Sequence, residues 1–194
     1  MNFTTKFFKE AKKSISKIED NKIEAIAKML SKLRSNKGRL FIMGVGGSSA
    51  NASHAVNDFR KLCNIETYCL TDNISELTAR TNDDGWDSTF EGYLKNCNLK
   101  PKDVLMTFSV GGGNVKKKIS MNIVKALKYA NKKKVKTISI LGKSDGYAAK
   151  KSTISLIFKI DETKFLTPLS ESLQVLIWHY LVSSPILQKN KTTW

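Results

Sequence analysis

Only two histidines occur in the 194 residues, His54 and His179. His54 precedes Asp58 by four positions, so an imidazole and a carboxylate share one helical face. Glu171 precedes His179 by eight, a little over two turns, which leaves them about 80° apart around a helix. They converge only on something lying alongside that helix. Two imidazoles and two carboxylates suit zinc or a similar divalent ion. They equally suit a metal-free, hydrogen-bonded cluster.

The first pair follows an anion-binding device. Leu40-Phe41-Ile42-Met43 is an apolar run that reads as a short buried strand. It breaks into Gly44-Val45-Gly46-Gly47-Ser48-Ser49 and continues as small and polar residues that suit a helix. Strand, glycine-serine turn and helix together let backbone N–H groups approach an oxyanion where the helix dipole favours it. Ser48 and Ser49 also serve as helix N-caps, and the two roles are compatible because they use the same N–H groups.

Strands must alternate with helices to place these groups. Helices are expected at 2–19 and 21–36, the first with Phe3, Phe7, Phe8, Ala11 and Ile15 at helical spacing, the second with Ile23, Ile26, Met29, Leu30 and Leu33 as its buried stripe. Strands are expected at 39–44, 67–70, 103–109, 135–141 and 154–160. Helices are expected at 49–62, 74–81, 88–96, 117–132, 148–151 and 169–184, with Pro185 ending the last. Asn82-Asp83-Asp84-Gly85 reads as a turn. Asp103 to Ser109 runs into a second glycine-rich turn, Val110-Gly111-Gly112-Gly113-Asn114. The order predicts an α/β fold, a mostly parallel sheet with helices on both faces. Ligands of such sheets bind at the carboxyl ends of the strands, where both turns fall. Asp72, just after the second strand, is either a ligand for sugar hydroxyls or a simple turn residue. Asp145 reads as a turn or cap, and Trp178 as core or subunit interface.

Hydrophobic residues make up 41% and charged residues 26%, which suits one globular domain over 1–194. No run approaches the length of a membrane span, and the N-terminus lacks the apolar core of a signal peptide. Three cysteines without paired spacing read as reduced thiols in a cytoplasmic protein. The net charge is +16. The lysines are scattered without interleaved aromatic residues, which favours a solvated surface over a nucleic-acid partner. A positive field also helps gather a phosphorylated substrate.

Taken together, Gly44-x-Gly46-Gly47-Ser48 leading to His54-x-x-x-Asp58, then Asn82-Asp-x-Gly85, Asp103-Val-Leu with Ser109 and its turn, and a last helix with Glu171 and His179, resemble the SIS (sugar isomerase) domain family, and within it the phosphoheptose isomerase branch. The resemblance covers about residues 20–184. It implies a five-stranded parallel sheet flanked by helices, a flavodoxin-like three-layer sandwich. It implies a homotetramer with sites between subunits, residues 1–38 contributing to assembly. It implies a phosphate cradle from Gly46, Gly47, Ser48 and Ser49 and from Ser109, Gly111, Gly112 and Asn114. It also implies zinc on residues matching His54, Asp58, Glu171 and His179, and aldose–ketose isomerisation of sedoheptulose 7-phosphate for surface-polysaccharide (lipopolysaccharide) precursors.

Aldose–ketose isomerisation passes through an enediolate and needs a base near the carbon and an acid near the oxygen. Asp58 and Glu171 are the candidate bases and His179 the candidate acid. The chain departs from the family pattern at several positions. Val45 stands for Asn in the first turn, Asp58 for Glu, and Glu171 for Gln. Of the second turn's usual Ser-Thr-Ser-Gly-Asn-Ser, only the first hydroxyl survives, and glycine N–H groups with the Asn114 side chain are expected to replace the lost donors. Alternatives are an isomerase of another sugar phosphate, or a non-catalytic SIS protein binding a phosphosugar or a protein partner.

Overall fold

The computed structural model describes residues 2–192. Five strands, β1 (Leu40–Met43), β2 (Thr67–Cys69), β3 (Val104–Ser109), β4 (Lys136–Leu141) and β5 (Ile154–Ile157), form one sheet in the order β2-β1-β3-β4-β5. Every pairing is parallel. The chain reverses direction across the sheet between β1 and β3, which makes their carboxyl ends the switch point where a crevice opens.

β1 shows why the sheet is covered on both sides. Leu40 and Ile42 face one apolar cluster, Phe41 and Met43 the other, and all four are buried. Successive strand side chains point to opposite faces, so a continuous apolar run requires helices on each. On the first face lie α2 (Asp20–Ser35), α3 (Gly47–Cys63) and α8 (Leu166–Ser183), through residues such as Leu30, Phe59 and Trp178. On the second lie α5 (Thr89–Asn96), α6 (Met121–Lys132) and α7 (Tyr147–Lys151), through Phe90, Leu94, Leu127 and Ala148. Between β2 and α5, α4 (Ile74–Asp84) buries none of its residues.

At the amino end of the sheet the buried Asp103 accepts from the Arg39 backbone N–H at 2.9 Å and its guanidinium at 2.7 Å. The Lys100 N–H reaches the same carboxylate at 2.9 Å. This ties β1 to β3 at the end opposite the crevice.

Several boundaries differ from the sequence expectation. α1 spans Phe3–Ser16 and buries Glu10 and Ser14 rather than its apolar stripe. Phe3 and Phe7 lie edge-on to Phe165, while Glu10 accepts from the Asp161 N–H at 2.6 Å. Phe3, Phe8 and Ile15 remain exposed. Asn82-Asp83-Asp84 lie within α4, not in a turn; the break comes at Gly85, whose φ is +77°. α8 begins at Leu166, because Pro168 falls in the first turn, where its missing N–H costs no helical bond. α6 begins at Met121 rather than 117, and Ile119 is exposed rather than in the core. β5 ends at Ile157, although Phe158 still donates to the Leu141 carbonyl at 2.8 Å.

The three cysteines are unpaired. Burial pushes the Cys63 thiol up to about 11 and raises Cys69 and Cys97 as well, so all three stay protonated near neutrality. Among the described residues no helix is long and apolar enough to cross a membrane.

Candidate active site

α3 and α8 pack side by side on the first face, and this pairing brings the two histidines together. His54, Asp58 and His179 each offer one ligand atom, and these atoms lie within 4.8 Å of one another. The ring centroids of His54 and His179 are 5.7 Å apart and nearly perpendicular. The His54 ring also leans on Trp178, 4.7 Å away. Trp178 is fully buried, so it forms a rigid floor beneath the imidazoles.

Hydrogen bonds decide which atoms are available. His179 Nδ1 lies 3.0 Å from the Val175 carbonyl one turn earlier. A carbonyl only accepts, so Nδ1 carries the proton and Nε2 presents its lone pair in the neutral ring. Asn57 donates to Asp58 Oδ1 at 2.8 Å, which leaves Oδ2 for a proton or a metal. Asp58 is 2% exposed, while His54 is exposed and His179 half-buried. Two nitrogens and one carboxylate oxygen make a three-ligand set with a fourth position open, which suits a divalent ion such as zinc after small side-chain adjustments.

Glu171 does not join this cluster. Its carboxylate packs over Gly47 at the start of α3, where a Cβ would overlap it. The Asn51 amide donates to the Glu171 carbonyl at 3.0 Å and to Gln174 Oε1 at 3.0 Å, pinning this part of α8 onto α3. Asn51, Asn57, Gln174 and the supporting role of Trp178 were not legible in the sequence. The only signal was that Asn51 precedes His54 by three, on the same side of α3.

The first glycine turn is shorter than expected: α3 begins at Gly47 rather than 49, Gly46 is its N-cap, and no side chain caps it, so Ser48 and Ser49 lie within the first turn instead. Gly46 sits at φ +62° and ψ −130°, a conformation essentially restricted to glycine. Its carbonyl accepts from the Ser49 and Ala50 N–H groups at 2.9 and 3.3 Å, while the Gly47 and Ser48 N–H groups have no backbone acceptor among the described residues. Ser48 is buried. Ser49 Oγ is 2.6 Å from Thr71 Oγ1, which fastens α3 to the end of β2. Asp72 follows, exposed. Val45, exposed at the turn's outer edge, offers no polar side-chain atom.

The second turn is engaged internally. The Gly112 N–H donates to Ser109 Oγ at 3.0 Å, and the Lys117 N–H to Asn114 Oδ1 at 3.0 Å. The carbonyls of Gly112 and Gly113 accept from Ala148 and Tyr147, stitching the turn to the start of α7. Of the donors expected here, the Gly112 N–H is therefore occupied, while Asn114 accepts through Oδ1 and keeps its Nδ2 donor. Gly111 is exposed, and its N–H has no backbone acceptor among the described residues.

Comparison with known proteins agrees with this fold. The profile of the family described as SIS domain matches residues 6–142. The phosphoheptose isomerase of Geotalea daltonii is 31% identical over 147 residues, 73% of each chain. That of Helicobacter pylori strain 26695 is 28% identical over 188 residues, 93% of this chain and 92% of that one. The lincomycin biosynthesis protein LmbN of Streptomyces lincolnensis is 30% identical over 150 residues, 74% of this chain, which spans about half of that longer protein (54%). Among solved structures, phosphoheptose isomerase GmhA from Neisseria gonorrhoeae superposes with a TM-score of 0.77 at 22% identity, covering 92% of this chain and 93% of that one. A phosphoheptose isomerase from Francisella tularensis gives 0.78 at 20%, covering 93% and 92%.

Proposed function

Because this chain belongs to the SIS domain family, we propose that it is an aldose–ketose isomerase of a sugar phosphate, converting sedoheptulose 7-phosphate to a heptose 7-phosphate. The observation that carries this reading is the convergence of His54, Asp58 and His179 on one point between α3 and α8. Relatives that match nearly the whole chain bear the name of that activity.

Isomerisation takes a proton from C1 of the ketose, passes through an enediolate, and returns a proton to C2. Asp58 is the carboxylate within reach of both imidazoles, so it serves as the base at carbon. His179 moves the proton between the oxygens through Nε2, its ring held by the Val175 carbonyl. His54 orients the sugar oxygens, and Trp178 excludes water from beneath the pair. The Gly46–Ser49 turn and the turn after β3 hold the polar ends of the substrate. Where an ion is bound, His54, Asp58 and His179 would hold it, and it would supply Lewis-acid polarisation of the carbonyl. The product would feed precursors of a surface polysaccharide.

The test is incubation with sedoheptulose 7-phosphate and other ketose phosphates, with added zinc or with chelator, following the aldose product. The expected result is turnover of the heptulose phosphate; suppression by chelator with recovery on zinc would put an ion on His54, Asp58 and His179. No turnover of any of these substrates overturns the isomerase reading. Turnover indifferent to chelator assigns the chemistry to the side chains alone.

The assembly belongs to the same proposal. Ile15, Ile18 and Ile23 from the amino-terminal helical region and Leu176, Ile177 and Tyr180 from α8 line an apolar groove of about 460 Å³. Phe8, at 59% exposure, lies on α1 as well. Apolar surface of this kind favours burial between copies, here four, with residues 1–38 contributing. Sedimentation equilibrium should return four times the 21.7 kDa chain mass; a monomer at micromolar concentration would count against it.

A further inference from the structure

The turn after β3 has lost hydroxyls, and its remaining donors are partly engaged, yet a sugar phosphate brings a dianion to this end of the sheet. We propose that Lys116, Lys117 and Lys118 supply the missing recognition, so that this protein selects its substrate's phosphate by charge rather than by hydroxyl geometry. The proposal rests on the phosphosugar reading above.

The lysines sit on a built loop. Asn114 and Ile119 exchange both backbone hydrogen bonds, at 2.9 and 3.0 Å, as an antiparallel bridge. Inside it the Asn114 side chain accepts from the Lys117 N–H at 3.0 Å, and the Lys118 N–H donates to the Val115 carbonyl at 3.4 Å. Lys118 and Ser120 take φ of +50° and +48°, and the chain then turns directly into α6. This loop is the reason α6 begins four residues later than its apolar period suggests.

Its position is at the glycine turn itself. A Cβ on Gly113 would lie 3.2 Å from the Ser120 carbonyl and 3.6 Å from that of Ile119. The loop's exit therefore folds back over the turn at the switch point. All three lysines are exposed, and none makes an ion pair or side-chain hydrogen bond among the described residues. Just behind them, the N–H groups of Met121 and Asn122 have no backbone acceptor among the described residues. The Ser120 side chain makes no cap bond. Asn122 is fully buried with its Nδ2 unpartnered. Three mobile point charges beside a helix N-terminus with unengaged donors suit a phosphate dianion. Ammonium groups on flexible stems attract it without fixing its orientation. The consequence is a strong dependence on ionic strength that a hydroxyl cradle would not show.

The experiment uses the full chain and inorganic phosphate as the probe, with titration calorimetry at about 50 and about 300 mM salt. The variant K116Q/K117Q/K118Q should raise the phosphate Kd about tenfold at low salt and flatten its salt dependence, with circular dichroism unchanged. The variant K132Q/K133Q/K134Q, which removes equal charge at the far end of α6, should leave Kd within about twofold. Equal shifts in both variants, or none in the first, overturn the proposal. Steady-state kinetics separates the readings. If the first variant isomerises sedoheptulose 7-phosphate with an unchanged KM, the lysine assignment fails and the isomerase stands. If phosphate binding depends on the lysines but no ketose phosphate turns over, the isomerase reading fails and the lysine assignment stands.

Discussion

H179A should lower kcat for sedoheptulose 7-phosphate by about 10²–10⁴-fold, the usual effect of a positioned acid–base group, while leaving the fold and assembly intact. The ring has one nitrogen anchored on the Val175 carbonyl and one turned toward Asp58 and His54. No other imidazole exists to replace it, since His54 already belongs to the same cluster. The structural cost is small. The ring is half-buried, and its loss removes one hydrogen bond and some packing against Trp178, about 1 kcal/mol for the bond. For a chain of this size that shifts Tm by roughly 2–4 °C. Stopped assays and a thermal melt on the same preparation distinguish a lost proton carrier from a lost fold. Wild-type kcat in this variant would remove His179 from the mechanism.

How far the site could be read in advance is clearest on α8. A separation of eight positions between Glu171 and His179 already puts their side chains about 80° apart, and the structure resolves this by sending them to different places. His179 reaches the α3 imidazole, and Glu171 reaches the Gly47 backbone. A four-ligand set was implied by resemblance, and the spacing allowed it only for an ion lying alongside the helix; the structure groups three of the four. The pair on α3 was legible because an i,i+4 relation survives any packing of that helix. The strands were legible because β1 and the first half of β3, Val104-Leu105-Met106, are apolar without alternation, the mark of a sheet covered on both faces.

The loop before α6 was not legible, for a physical reason. Lys116 to Ser120 continue the helical period of Ile119, Ile123 and Leu127. What interrupts the helix is a cross-loop bridge from Asn114 to Ile119 and a side-chain bond to the Lys117 N–H. Such bonds compete with helix through geometry that composition does not show. The stripe on α1 showed the helix but not what it packs against. Its phenylalanines have helical spacing, but the contact with residues 158–165 is made largely through the polar Glu10, Lys13 and Ser14, leaving Phe8 and Ile15 exposed.

G44A tests how tightly the fold holds the opening of α3, and it should be the more damaging change for stability. A Cβ at Gly44 would overlap the Ser48 carbonyl and come within 2.8 Å of the Ser49 nitrogen. These are backbone atoms, and both are tied down. The Ser49 N–H donates to the Gly46 carbonyl at 2.9 Å, and its hydroxyl meets Thr71 at 2.6 Å. Relief of the clash therefore requires α3 to move away from the end of β1, carrying His54 and Asp58 with it. Overpacking against fixed backbone costs about 3 kcal/mol, which corresponds to a Tm lower by roughly 6–12 °C. A displacement near 1 Å at the imidazole would lower kcat by about 10²-fold even in the folded fraction. G111A provides the contrast. A Cβ there meets nothing within 4 Å, and its φ is not positive, so its stability should stay within about 0.5 kcal/mol of wild type. Urea denaturation of both variants, with kcat measured well below each midpoint, reads the difference. A G44A protein with wild-type stability and kcat would mean that the strand-to-helix junction is compliant, and that the register of His54 and Asp58 is set by the α3–α8 contact instead.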